Sequence, residues 1–315
     1  MTTDPYPELD VTDWEVVGFE QMGSKPNKRW LLEPGTTEAA HGDRVKWLFK
    51  PRTTQKDPGG AFPKGDDWAE KVAGEIAQAM QVPAASIELA RRGSILGIVS
   101  GDVSVGRDLV LGNVVLFQCD PAYPKGERRG VRGYTVQAIY DALQQLGVQP
   151  PPRSPREQDA CSVFASYLVL DALVGNTDRH HENWGVLDDP ASTKTLAPTF
   201  DHASSLGFLL PDEERIERLG TGDRNRTVEA YARRGRSRHF AGSPTLVELA
   251  AEAVRTCPHP AGDWFSRIEQ LSQGDLDAIL DKVPDARMSQ ASRMFTSRLL
   301  AENGRRLLDE LDRTH

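Results

Sequence analysis

GNTDRHHENWGVL, residues 175–187, sets an aspartate, an arginine, two histidines, a glutamate and an asparagine between two apolar runs, and LAPTFDHASSLGF, residues 196–208, returns a second aspartate shortly afterwards. The run before the first stretch carries Phe164, Tyr167, Leu168 and Val174 at helical spacing. Ser154, Pro155 and Glu157 supply an N-cap, a first-turn proline and a capping-box glutamate, so the spacing predicts a helix that ends at Gly175. After the polar cluster, WGVL (184–187), the turn DDP (188–190) and TLAPTF (195–200) read as a β-hairpin that delivers Asp201. Helix, polar loop, hairpin and aspartate are therefore expected in that order.

Such an order brings three oxygen-bearing side chains, Asp178, Asn183 and Asp201, within reach of one another. Carboxylate and amide oxygens suit a hard cation such as magnesium, which takes one or two protein ligands and completes its octahedron with phosphates and water. The spacing Asp178-x-x-x-x-Asn183 is that of the protein-kinase catalytic loop, in which the aspartate accepts the hydroxyl proton and the asparagine holds metal. Asp201 then stands where the later metal-binding aspartate is needed.

Working outward, the first 120 or so residues read as antiparallel strands with one helix among them. WEVVGF (14–19), RWLLE (29–33), VKWLFK (45–50), SILGIVS (94–100) and LGNVVLFQ (111–118) are short β-branched or aromatic runs. DWAEKVAGEIAQAM (67–80) has helical spacing at Val72, Ile76 and Met80, and Asp67 with Glu70 fits a capping box. In VKWLFKP both Lys46 and Lys50 face the same side of a strand, so either can meet nucleotide phosphates; Glu70 and Glu75 flank the helix stripe, and periodicity does not choose between them as ion-pair partner. The turn around Gly23, Ser24 and Lys25 offers backbone N–H groups to a phosphate. No G-x-G-x-x-G occurs, which speaks against ordinary eukaryotic-type kinases and dinucleotide-binding folds. From residue 121 the chain is mainly helical, with one helix opening at Ser243-Pro244 and another over Ser289–Leu311. The expected class is α+β, a two-lobed protein-kinase-like fold, with lobes at 1–120 and 121–315.

Composition agrees with a globular chain: 315 residues, 38% hydrophobic and 27% charged, enough to bury a sizeable core. A net charge of -8 opposes non-specific binding to nucleic acid or anionic lipid, and no apolar run reaches the ~18 residues of a membrane span. The acidic start MTTDPYPELD lacks the basic and apolar regions of a secretory signal, so a cytoplasmic location is expected. Cys119, Cys161 and Cys257 form no C-x-x-C pair, and neither a disulfide framework nor a zinc knuckle is expected. Six arginines between 224 and 238 stand out in an acidic chain, and Arg233, Arg234 and Arg236 are candidates for holding an anionic partner.

The two quoted stretches resemble the catalytic core of the HipA-like serine/threonine kinases, whose pattern is an N-x-D-x-H-x-x-N loop followed by L-A-P-x-[FY]-D; the D-R-H-x-x-N part is also similar to the loop of phosphatidylinositol kinases. The match is fairly specific over residues 160–210 and extends more weakly to about residue 20. The resemblance implies an ATP- and magnesium-dependent kinase acting on a protein hydroxyl, with Asp178 catalytic, Asn183 and Asp201 on magnesium, Lys50 on phosphate, Glu70 as its partner and His180 bracing the loop. It also implies that the serine of the phosphate loop, Ser24 here, is a site of regulatory phosphorylation. The N-terminal portion is shorter than that of the toxin members, so their extra small domain is not expected. Alternatives are a lipid or small-molecule kinase, an inactive kinase-fold binding module, and a metal-dependent phosphohydrolase built on His180, His181, Asp178, Asp201 and His202.

Overall fold

The computed structural model describes residues 4–19, 27–35, 45–57, 60–152, 154–155, 158–189, 193–258 and 264–312; Gly23, Ser24, Lys25 and Glu157 lie outside them. The N-terminal part runs β1 (Glu8–Asp10), β2 (Glu15–Phe19), β3 (Arg29–Leu32), β4 (Lys46–Pro51), β5 (Thr54–Asp57), β6 (Gly60–Pro63), α1 (Asp66–Ala79), β7 (Ile87–Arg92), β8 (Ile95–Gly101) and β9 (Asp108–Leu111). The helical remainder runs α2 (Gly112–Cys119), α3 (Val136–Gln145), α4 (Ala160–Val174), β10 (Gly185–Asp188), β11 (Thr195–Leu196), α5 (Asp212–Gly220), α6 (Val228–Arg233), α7 (Leu246–Thr256), α8 (Trp264–Gln270), α9 (Gln273–Asp281) and α10 (Gln290–Asp312). A sheet-rich N-terminal part and a helical C-terminal part are thus what the sequence led us to expect.

The main sheet has the order β1-β7-β8-β4-β3-β2; β1 is parallel to β7 and the other neighbours are antiparallel. Alternation decides its faces. Leu31, Phe49, Ala90 and Val99 close one side with Val11, while Ile87, Leu89 and Ile98 turn to the other, where α1 packs. Lys50 lies on that second side of β4, directly opposite Ile98. Gly97, paired with Pro51, lets β8 come this close: a Cβ there would lie 2.9 Å from the Pro51 Cα and closer still to the Lys50 carbonyl oxygen.

The C-terminal part is organised by α4, all fifteen residues of which are buried. A helix apolar nearly all round needs neighbours all round, and it receives α1, α3, α7 and α10. Its end is fixed by Gly175, whose φ of 70° is the left-handed C-cap conformation that glycine adopts without steric cost. The polar loop starts there because the helix cannot continue.

Several local expectations are corrected. LGNVVLFQ is not a strand: β9 ends at Leu111 and α2 takes over, because Gly112 and Asn113 donate their N–H groups to the carbonyls of Trp184 and His181 while Val115 and Leu116 turn into the core. The Asp67/Glu70 capping box does not form; α1 begins at Asp66 after Gly65, and both carboxylates are taken by distant cations, Arg287 at 2.8 Å and Lys50 at 2.7 Å. The helix into the loop begins at Ala160, not at Pro155, since Asp159 accepts from the Ser162 N–H at 2.8 Å and is the better cap. The later helix begins after Thr245, which forms a capping box with Glu248, rather than at Ser243-Pro244. IELARR (87–92) and ELD (8–10) are strands that sequence reading passed over, their alternation being blurred by charges that point to solvent or into ion pairs. The three cysteines are free, and among the described residues no helix is long and apolar enough to cross a membrane.

Candidate active site

The loop after α4 is held from below by one buried cation. Arg179 is 2% exposed; its Nε and Nη2 donate to the two carboxylate oxygens of Asp171 at 2.7 and 2.8 Å, and its Nη1 donates to the carbonyls of Asn183 at 2.5 Å and Phe200 at 3.4 Å. One guanidinium therefore ties the helix, the loop and the residue before Asp201 together. The planar fork is suited to this, because two parallel charge-assisted bonds fix orientation as well as distance. Asn176 completes the frame, donating to Asp171 at 2.7 Å and accepting the Asp178 N–H at 3.1 Å.

On this frame the Asn183 side chain donates to the Asp178 carbonyl at 2.7 Å, which closes the five-residue loop and leaves its amide oxygen as the group able to face a cation. Asp201 has a φ of 61°, a left-handed conformation that side chains other than Asn and Asp seldom adopt, and one that marks functional positions when the surroundings enforce it. Its Oδ1 accepts from Lys50 Nζ at 3.0 Å, and the same Nζ donates to Glu70 Oε1 at 2.7 Å. Burial alone would lower the pKa of Lys50; the facing Asp201 and Glu70 carboxylates outweigh it and hold the ammonium above its ordinary value. The geometry thus separates the pairs that periodicity left open. Lys46 is exposed at the mouth of the same cavity, and Glu75 is engaged at 2.7 Å by Lys71.

Asp178 is 45% exposed at its side chain. Its Oδ1 lies 2.9 Å from His239 Nε2, and its Oδ2 accepts a longer contact from Ser204 Oγ at 3.4 Å. The other ring nitrogen of His239, Nδ1, donates to the Arg128 carbonyl. His239 Nε2 and Ser204 Oγ therefore each contact one carboxylate oxygen of Asp178, the Ser204 contact being the longer. His180 accepts the Glu182 N–H at Nδ1, 3.2 Å away, and its ring meets that of His239 edge-on at 5.3 Å between centroids. Burial pushes the His180 pKa down.

The other two histidines belong to the core. His181 Nδ1 meets the Tyr123 hydroxyl at 2.7 Å, and burial lowers its pKa to about 4. His202 Nε2 meets Thr199 Oγ1 at 3.0 Å, and burial takes its pKa well below the usual value. A hydrolytic histidine–aspartate centre is accordingly not assembled: among the described residues no three His, Cys, Asp or Glu side chains converge to hold a metal. Asn183 and Asp201 instead present one amide and one carboxylate, a donor set that fits magnesium completed by phosphate and water.

Two cavities meet here. One, of about 840 Å³, is lined by Val17, Trp30 and Leu48 from the sheet, by Lys50, and by Asn183 and Phe200 below. The other, of about 1140 Å³, is lined by Asp178, Ser204 and His239 together with Arg52, Lys64 and Ile95. Lys28, His180 and Asp201 belong to both walls. Arg233, Arg234 and Arg236 line neither; Arg234 and Arg236 donate to the carbonyls of Asn225 and Ser243 on the outer surface.

Sequence reading had not assigned Asp171, Asn176, Arg179, Ser204 or His239. An aspartate within the apolar run YLVLDALV is a signal that was present, because a charge in a buried helix needs a partner. His239 gave none, being 61 residues from Asp178 in the chain.

Residues 28–261 match the model of the HipA-like C-terminal domain. The crystal structure of a Helicobacter pylori proinflammatory kinase, CtkA, aligns over 97% of this chain and 97% of that one, with a TM-score of 0.70 and 19% identity. HipA of the Shewanella oneidensis MR-1 toxin–antitoxin system, solved with HipB and operator DNA, aligns over 95% of this chain and 66% of that one, with a TM-score of 0.53 and 12% identity. At these identities the likeness is one of fold. No curated protein sequence matched.

Proposed function

This chain belongs to the HipA-like C-terminal domain family, and from that premise we propose that it is a protein kinase, transferring the γ-phosphoryl group of ATP to a serine or threonine hydroxyl with magnesium bound. The observation that carries the reading is the junction of the two cavities: Lys50 and Asn183 line one, Asp178 lines the other, and Asp201 stands between them. Nucleotide on one side and acceptor on the other then meet at the aspartate pair.

The apolar sheet residues Val17, Trp30 and Leu48 would cover the base from one side, and Lys50, oriented by Glu70, would meet the phosphates. Asn183 and Asp201 would hold magnesium, which when bound offsets charge on the phosphate oxygens. Asp178 would receive the proton of the acceptor hydroxyl through Oδ2, whose contact with Ser204 is the longer of its two, as that hydroxyl's oxygen bonds to the γ-phosphorus and the bond to the ADP oxygen breaks. His239 and Ser204 keep the carboxylate aimed, and the Arg179 frame keeps Asp178, Asn183 and Asp201 in register, which is where positioning contributes to rate.

The test is direct. ATP with magnesium should bind the wild-type chain in calorimetry and yield ADP with phosphate on a protein hydroxyl; Asp178→Asn should retain nucleotide binding and lose transfer. ADP production at wild-type rate in Asp178→Asn would refute the assignment.

A further inference from the structure

The two cavities differ sharply in charge. Among the described residues lining the nucleotide cavity, four are Lys or Arg (Lys28, Lys46, Lys50, Arg107) and four are Asp or Glu (Asp102, Asp108, Glu182, Asp201), a balanced set. Around the cavity beside Asp178, seven of the described lining residues are Lys or Arg and two are acidic, and those two are Asp178 and Asp201 themselves. This excess occurs in a chain whose net charge is -8, so it is a local arrangement and does not follow from composition. We propose that this cleft binds an acidic protein segment, and that the acceptor hydroxyl is presented among Asp or Glu residues; the proposal rests on the kinase reading above and specifies its acceptor.

The partners of the cations support it. Arg92 donates only to the carbonyls of Val11 and Trp14, at 2.7 and 3.3 Å, so its charge is solvated by dipoles and met by no carboxylate among the described residues. Arg52 lies 3.5 Å from Asp67, a carboxylate that Arg287 already holds at 2.8 Å. Lys64 and Arg129 have no side-chain hydrogen bond or ion pair among the described residues. Arg128 is bound to Glu182 at 2.6 Å, and its carbonyl holds His239, so the cationic wall is continuous with the group that aims Asp178. Like charges gathered in one concave site raise its potential and attract the opposite charge. A bound carboxylate would relieve that repulsion.

Size and shape favour a segment of chain. The cleft volume, about 1140 Å³, exceeds the ~300–1000 Å³ of small-molecule pockets, and its lining includes Ile95, which is 52% exposed and offers an apolar contact. A nucleic acid or an anionic membrane presents charge over a whole face, and the rest of this molecule, net acidic, would repel it. A few acidic residues reaching into the cleft meet, among the described residues, seven cations against the two carboxylates of the catalytic pair.

The experiment compares three synthetic ten-residue peptides, each with one serine flanked by Glu, by Gln or by Lys, as acceptors for the wild-type chain and for the double variant Lys64→Glu/Arg129→Glu. Neither residue lines the nucleotide cavity, so calorimetry with ATP and magnesium should give unchanged affinity in the variant. The wild type should phosphorylate the Glu peptide with kcat/KM at least tenfold above the Gln peptide, the advantage should shrink at high salt, and the double variant should lose it. Anisotropy of a labelled Glu peptide, which needs no chemistry, should report the same order of binding. Equal kcat/KM for Glu and Gln peptides in the wild type overturns the proposal, as does a double variant that keeps the preference, or transfer to inositol phospholipid vesicles or RNA ahead of every peptide. If no acceptor yields ADP above the Asp178→Asn background, the kinase reading fails, and anisotropy still decides whether the cleft selects acidic segments.

Discussion

Replacing Arg179 by Met tests the frame on which the site is built. Arg179 and Asp171 are each 2% exposed, and the substitution strands the Asp171 carboxylate with a single remaining side-chain donor, the Asn176 amide at 2.7 Å. Removing one member of a buried ion pair costs about 3–5 kcal/mol, because the other charge stays desolvated without compensation. Unfolding entropy is about 2.1 cal/mol/K per residue near 60 °C, so 315 residues give about 0.66 kcal/mol/K and a fall in Tm of about 5–8 °C. The double variant Asp171→Asn/Arg179→Met removes the stranded charge while keeping an acceptor for Asn176, and should recover about 2 kcal/mol, or roughly 3 °C. Phosphoryl transfer should not recover with it, since the carbonyls of Asn183 and Phe200 still lack their donor. Scanning calorimetry and ADP production on the three proteins suffice. A loss below about 1 kcal/mol in Arg179→Met, or a double variant less stable than the single one, would refute the argument.

Asp201→Asn retains a residue suited to a φ of 61° and should fold normally while losing transfer by about two orders of magnitude or more, read as kcat with nucleotide saturating. Lys50→Ala should weaken nucleotide binding in calorimetry far more than Lys46→Ala, since only Lys50 is oriented by Glu70 and Asp201; equal effects would reverse that choice. Gly97→Ala should push β8 from β4 at Lys50 and Pro51, costing about 1–3 kcal/mol in urea denaturation and weakening nucleotide binding together with it. His180, His181 and His202 have pKa values depressed by burial, so they are held neutral in the fold while the unfolded chain takes up protons below about pH 6.5. Stability from this source is present above that pH and lost as pH falls, by up to ~1.4 kcal/mol per pH unit for each histidine. Urea midpoints measured from pH 8 to 5 should fall accordingly, and more gently in His202→Gln; midpoints that stay level, or a variant as steep as the wild type, would contradict it.

The sequence alone determined the order helix, polar loop, hairpin, aspartate, because each part is written in local chemistry: the apolar run of α4, the left-handed stop at Gly175, the five-residue spacing of Asp178 and Asn183, and the strand pair that returns Asp201. It also placed Lys50 on a strand and Glu70 on a helix, since periods of two and of three to four residues survive in any globular context. Where it went astray, a long-range partner outweighed a local signal. Val114 and Val115 favour a strand, yet Gly112 and Asn113 are captured by carbonyls some seventy residues away and a helix forms. Asp67 and Glu70 look like a capping box, yet Arg287 and Lys50 claim them. The choice of Lys50 over Lys46 and of Glu70 over Glu75, the Arg179 anchor, the His239 contact to Asp178 and the cationic cleft all join residues from separate elements. Those contacts depend on how strands, helices and loops are set against one another, and charges far apart in the chain acquire distances, and so energies, only when the tertiary structure brings them to one place.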